Sequence, residues 1–406
     1  MAMKICIVSE REYGCGASIA AFRLARALAE GEHEVHYVFK EPHEGVEPQN
    51  VYKWPLGQRQ SIWSHVAHKL LALGSEKTRF RYRCHKNYTE FLSLVERIGP
   101  DVINLHNVGT ILTHDNVISL GYKYPIVWTM HDFFAIRPYC YQFVNGSGRV
   151  TETSVISPEF VDPQARERLI ASRSSIHFVA PSQWLADSVM QELAGKKEIL
   201  TIPYGLSKQE FFRADQSEAR ELLGLSQEGF YLLFVASKLE YERKNIRILL
   251  EALNLIQNPA IELLALGKAS SEFKNRYPSV KYFRSDFYPI QLRRLYSAAD
   301  VFIIPSLADN LPNTVLESLF CGTAVVGADV GGIPEMVVPG ETGWLFDPRD
   351  PRSLAEILSQ IYQERELLSR IKARCRSWVQ DRFSIENQRD QYLQLFQAIV
   401  DDNLGN

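Results

Sequence analysis

The chain has 406 residues, 46% of them apolar and 23% charged, with a formal net charge of −3. A chain of this length buries enough surface to fold without disulfide or metal staples, and its length predicts two to three domains. The near-neutral balance excludes a dedicated nucleic-acid binder, which carries a basic excess, and no run approaches 18 consecutive apolar residues, so no membrane span is expected.

The residues Lys4 to Ser9 predict a buried strand, followed by a Gly-containing turn and a helix from about 17 to 28. Further strands are predicted at His33 to Phe39, Asp101 to His106, Pro125 to Met130 and His177 to Ala180. Pro203 and Gly205, in Ile202-Pro-Tyr-Gly-Leu206, then break the periodicity. The pattern restarts with a strand at Tyr231 to Ala236 and a helix over about 245–256. Strands follow at 261–266, 280–283, 301–304 and 324–327, then an amphipathic helix over 350–363. A closing helix from about 384 to 399 has Tyr392, Leu393, Leu395 and Phe396 on its apolar side. Short strands separated by helices imply βαβ units, so the chain reads as two α/β halves with parallel sheets.

The six cysteines are dispersed and form no C-x-x-C pair, which suits a reducing compartment. The first strand begins at once, without a signal-peptide pattern, so a cytoplasmic location is expected. Between residues 53 and 90 lie eight Lys or Arg against two Glu, interleaved with Trp54, Trp63, Phe80, Tyr82 and Tyr88. This stretch is either a solvated helical surface or a peripheral contact with an anionic membrane or phosphorylated acceptor.

Four places carry chemistry. The first is the turn Ser9-Glu-Arg-Glu-Tyr-Gly14-Cys-Gly16, which opens a helix whose N–H groups and dipole favour a diphosphate. Its dinucleotide fingerprint is incomplete, since Ile19 stands where the third glycine belongs. The second is His131-Asp132 at a strand's carboxyl end, where open α/β sheets bind ligands. His131 suits a hydrogen bond to a sugar hydroxyl or phosphate, with Asp132 orienting it or acting on an acceptor. His106-Asn107 ends the preceding strand in the same way. The third is Lys238 with Arg243 and Lys244, three cations between a strand and a helix that suit two phosphates. The alternative is a solvated turn with Glu240–Lys244 pairing.

The fourth is Pro305 to Glu335. A strand ends in a loop carrying Asp309 and Asn310, a Pro-Asn313-Thr314 turn opens a helix, and Glu317 follows Asp309 by eight residues. The helix start suits a phosphate, and the two carboxylates suit sugar and ribose hydroxyls.

With these motifs the chain resembles family 4 of the retaining glycosyltransferases. The resemblance also rests on Ala180-Pro-Ser-Gln-Trp-Leu-Ala186, Ile202 to Leu206, Tyr296-Ser-Ala-Ala-Asp300, Cys321-Gly322-Thr, Gly331-Gly332 and Gly340 to Leu345. It implies the GT-B architecture: two facing Rossmann-like domains with a central cleft, and a C-terminal helix crossing back to the first domain. Residues 1–205 would form the acceptor-binding domain, with 385–406 packing back on it, and 206–384 the donor-binding domain. It implies a hexose-type sugar moved from a UDP-, GDP- or ADP-sugar to a hydroxyl acceptor of unread identity, in polysaccharide or glycoconjugate synthesis. No cofactor or metal is implied. Gly14 and Gly16 would face the donor phosphate, His131 the reacting sugar, and Lys238, Arg243 and Lys244 the diphosphate. Asp309, with Asn310 and the backbone after it, would read the sugar, and Glu317 the ribose. Arg284 to Phe287 would lie near the base, and Phe133 to Thr153, with Arg137, Tyr139 and Tyr141, on the acceptor side. The sequence departs from the family at Asp309, usually Glu, and Lys238, usually Arg. Those departures keep open a silent homologue that binds a nucleotide sugar or scaffolds a partner; a sugar-nucleotide epimerase is the other alternative.

Overall fold

The computed structural model describes residues 2–42, 51–56, 76–136, 143–144, 150–151, 164–172, 175–283 and 289–404. The chain folds into two compact units. The first comprises Met1–Phe143, Glu152–Pro203 and Gln388–Asn406; the second comprises Val144–Thr151 and Tyr204–Asn387.

The first unit is built on seven strands: β1 (Lys4–Arg11), β2 (Glu34–Glu41), β3 (Val51–Pro55), β4 (Val102–Leu105), β5 (Ile126–Thr129), β8 (Ile176–Ala180) and β9 (Ile199–Thr201). Two short strands, β6 (Phe143–Val144) and β7 (Val150–Thr151), pair only with each other. The sheet order is β3-β2-β1-β4-β5-β8-β9, and every pairing is parallel. A parallel sheet is covered on both faces, so its strands read as continuous apolar runs. On β1 the side chains alternate between two cores: Ile5 and Ile7 enter one, Cys6 and Val8 the other. The first core is completed from the far end of the chain by Tyr392, Phe396 and Ile399 of the helix Ile385–Leu404. Tyr392 and Phe396 are fully buried, and burying such a side chain contributes about 2 kcal/mol.

The second unit carries β10 (Phe230–Lys238), β11 (Ile261–Lys268), β12 (Lys281–Phe283), β13 (Val301–Ile304), β14 (Ala324–Ala328) and β15 (Gly343–Phe346). They are parallel throughout, in the order β12-β11-β10-β13-β14-β15. In both sheets the chain winds outward from a central strand and then reverses. The reversal opens a crevice beyond the carboxyl ends of β1 and β4, and likewise beyond β10 and β13. Such crevices are where doubly wound sheets hold ligands.

Each strand predicted from an apolar run is present, within two residues at either end. Among the elements the structure adds are the strands β3, β9 and β15 and the helix Arg365–Arg382. Among the described residues no helix is long and apolar enough to cross a membrane.

Candidate functional site

In the first unit the crevice is formed by the turn after β1 and the ends of β4 and β5. Gly14 has φ +101°, and the helix Gly16–Ala29 starts from Cys15, whose side chain makes no capping bond. Gly14 and Gly16 are exposed. A backbone bond from Glu10 N to Asn107 O (2.6 Å) ties the turn to the loop after β4.

His131 follows β5. Asp132 caps the 3-10 turn Phe133–Ala135, accepting from Phe134 N at 2.8 Å. The neighbour of His131 Nε2 is His106 Nδ1, at 3.0 Å. Burial pushes the His131 imidazole down to about 3, and burial followed by the charge of His131 depresses His106 well below the usual range. Both rings are therefore neutral at physiological pH.

In the second unit the crevice holds a charged cluster. Lys244 Nζ donates to Asp309 Oδ2 at 2.5 Å, and Arg243 Nη1 donates to Asp309 Oδ1 at 3.1 Å and to Ala308 O at 2.9 Å. Ser306 Oγ donates to the same Oδ2 at 3.0 Å, and Leu307 N reaches Arg243 O at 2.8 Å. Burial alone would raise the Asp309 carboxyl. Lys244, Arg243 and the two side-chain hydrogen bonds outweigh it and hold the group at about 2. Burial lowers Lys244 from its usual value, with Asp309 working against it and Arg243 with it. Two cations around one carboxylate leave a net positive charge.

Asp309 was expected to reach toward sugar hydroxyls; the structure makes it a counter-ion. The reason is geometric: the loop after β10 delivers Arg243 and Lys244 against the loop after β13, and a buried carboxylate pairs with the nearest cations. Nor does Glu240 pair with Lys244; it accepts from Ser270 N and Oγ at 2.8 and 2.7 Å.

Lys238 takes no part in this cluster. It ends β10, and in register beside it Lys268 ends β11. Both are exposed, and neither forms an ion pair among the described residues. Lys268 was missed in the sequence; its signal is the Gly267-Lys268 strand end. A Cβ on Gly267 would lie 1.9 Å from Ala236 O, so only glycine lets the two strand ends come this close.

The helix Asn313–Phe320 begins after Pro312, which offers no side-chain cap, and its first two residues are partly exposed. Asn310 and Glu317 are buried, and Tyr296 Oη donates to Glu317 Oε2 at 3.2 Å. Gly331 and Gly332 fold onto the acid loop: Gly332 N bonds Asp309 O at 3.2 Å, and Glu335 ends the short turn that follows. Other family-like residues are structural. Asp300 pairs with Arg220 at 2.9 Å and accepts from Tyr231 N at 2.7 Å, and Gly205 lies against the backbone of Ser384 and Ile385. Three expectations lie outside the described residues: Arg284 to Phe287, the segment with Arg137, Tyr139 and Tyr141, and most of the basic stretch between 53 and 90.

The chain matches two family models, Glycosyltransferase Family 4 over residues 15–209 and Glycosyl transferases group 1 over residues 229–364. It is 22% identical to N-acetyl-alpha-D-glucosaminyl L-malate synthase of Bacillus anthracis, over 99% of both chains. It is 28% identical to a D-inositol 3-phosphate glycosyltransferase of Geodermatophilus obscurus, and there the match spans 43% of that relative's length. Among solved structures it resembles sucrose-phosphate synthase of Thermosynechococcus elongatus, with a TM-score of 0.76 and 19% identity over 98% of this chain and 99% of that one. HepE of Anabaena, solved with UDP-glucose, gives a TM-score of 0.70 at 16% identity, over 98% and 100%. Both sheets thus have the two-domain α/β fold of GT-B proteins.

Proposed function

We propose, from the premise that the chain belongs to glycosyltransferase family 4, that it is a retaining enzyme moving a hexose-type sugar from a nucleotide diphosphate sugar to a hydroxyl acceptor. The observation that carries this reading is the gathering of cations at the second unit's crevice. Arg243 and Lys244 share Asp309, while Lys238 and Lys268, with Glu240 and Glu242 near them, form no ion pair among the described residues. A diphosphate adds negative charge for these cations to meet. Charge-assisted hydrogen bonds of this kind contribute about 1.5–3 kcal/mol each.

In this reading Lys238, Lys244 and Lys268 hold the diphosphate and stabilise it as it departs. Asp309 keeps Lys244 and Arg243 in place, and the sugar is read by Asn310 and the backbone beyond it. Asn313 and Thr314 present their helix start to phosphate, and Glu317 binds the ribose. In the first unit, Gly14, Gly16 and His131 are the residues proposed to touch the donor. The acceptor hydroxyl attacks on the face the diphosphate leaves, so the anomeric configuration is kept. Lysines and arginine do the work that a metal does elsewhere, so EDTA leaves transfer unchanged. UDP-glucose bound to HepE makes UDP-sugars the first donors to try.

Thermal shift against UDP-, GDP- and ADP-sugars, followed by NMR of the product's anomeric proton, tests this. One class of donor should raise the melting temperature, and the product should keep the donor's configuration. Stabilisation by none of them, or an inverted product, overturns the reading. The Glu317→Ala variant should bind the stabilising donor about 10- to 100-fold more weakly, the loss of a hydrogen bond to a charged group. Unchanged affinity removes Glu317 from the site.

A further inference from the structure

A chain of buried polar groups runs through the first unit and ends on His131. Tyr392 Oη lies 2.8 Å from Thr129 Oγ1. Asn104 Nδ2 donates to that same oxygen at 2.9 Å and to Val127 O at 3.0 Å. Asn104 Oδ1 lies 2.8 Å from His106 Nε2, and His106 Nδ1 lies 3.0 Å from His131 Nε2. Asn104, His106, Thr129 and Tyr392 are all at most 3% exposed. A buried polar network of this kind is costly unless every member is satisfied, and when satisfied it fixes one arrangement.

The direction of each bond follows from the chemistry. Val127 O is a carbonyl and only accepts, so the amide nitrogen of Asn104 faces it. Both amide hydrogens are then used, on Val127 and Thr129. The amide oxygen faces His106, so His106 Nε2 carries a proton and donates. Among the described residues no carboxylate compensates a charge on the buried His106 ring, which is neutral, so its Nδ1 bears a lone pair. A nitrogen 3.0 Å away must donate to it, and that nitrogen is His131 Nε2.

We propose that His106 is a positioning residue: held by Asn104, Thr129 and Tyr392, it fixes His131 as the Nε2–H tautomer. The imidazole of His131 then has a lone pair and no proton at Nδ1, so that atom accepts and never donates. Such a group suits a hydroxyl hydrogen of a sugar and repels a phosphate oxygen. The tautomer itself follows from the fold; its use on a sugar rests on the function proposed above.

The test is long-range proton–nitrogen NMR of the full chain with 15N-labelled histidine. His131 should show a pyrrole-like Nε2 and a pyridine-like Nδ1 at neutral pH. A pyrrole-like Nδ1, or two protonated nitrogens, overturns the proposal without any variant being made. His106→Leu, checked for folding by its circular dichroism, should give a mixture of His131 tautomers. His106→Asn offers an amide oxygen near the position of Nδ1 and should restore the Nε2–H form. A single unchanged tautomer in His106→Leu shows that His106 does not set it. Donor hydrolysis by His131→Ala separates the two readings: full activity there removes His131 from the reaction, whereas the NMR result stands on its own.

Discussion

The Asp309 carboxylate accepts from three side chains, so replacing it has a cost that a lost ligand contact alone would not produce. Asp309→Asn leaves Arg243 and Lys244 facing each other without a counter-ion. Removing one partner of a buried ion pair costs about 3–5 kcal/mol; Arg243 and Lys244 keep 28% and 20% of their side-chain exposure, so about 3 kcal/mol is expected, read as a lower urea midpoint. The pH dependence follows from the sign of the shift. The folded carboxyl sits at about 2, below its ordinary 3.8, so its contribution is complete above about pH 4 and fades as pH falls toward 2. The difference between wild type and Asp309→Asn should therefore be constant from pH 7 to 5 and shrink below pH 4. The sequence led to the expectation that Asp309, Lys244 and Arg243 belong to one site. It did not show that they pair, because pairing depends on how two loops 65 residues apart meet. The contact of His106 with His131 was hidden for the same reason: it needs β4 and β5 adjacent and in register, Leu105 against Trp128.

At the scale of elements, the turn at Gly331 decides whether the acid loop keeps its shape. Gly331 has φ +61°, and a Cβ there would stand 1.9 Å from Asp309 O. Gly331→Ala combines a left-handed backbone with a main-chain collision, so the turn must move. A loss of more than about 1 kcal/mol is expected from the backbone alone, together with weaker binding of whichever donor stabilises the wild type. A normal melting temperature with normal donor binding would show that the turn yields without cost. The elements legible in the sequence were those with continuous apolar runs, such as Val301–Ile304, buried on both faces. The missed strands β3, β9 and β15 lie at sheet edges or next to them and are short, with exposed positions such as Tyr52. The helix Arg365–Arg382 buries only Leu368, Ile371, Cys375 and Val379. That narrow stripe is masked by the charged residues around it.

At the scale of the molecule, the first unit is assembled from both ends of the chain. Tyr392, Phe396 and Ile399 fill one face of a sheet whose strands all lie before residue 202. Phe396→Ala should destabilise that unit by about 3–5 kcal/mol, the cost of emptying a fully buried aromatic site. Ending the chain at Asn387 should cost more and leave the first unit aggregation-prone, seen as lost near-UV circular dichroism. Undiminished signal would show that the helix is dispensable. The closing helix and its apolar side were legible from periodicity, and its destination only from the family resemblance. This arrangement has a consequence for the order of events on the ribosome. Residues 1–203 emerge before the helix that helps cover one face of their sheet, which follows only after the whole Tyr204–Asn387 segment. At about 5–20 residues per second that interval is on the order of ten to forty seconds. Throughout it, the nascent sheet has that face covered by the helix Gly16–Ala29 but not by Tyr392, Phe396 and Ile399, and the apolar surface left open is a standing target for chaperones that hold unfinished chains.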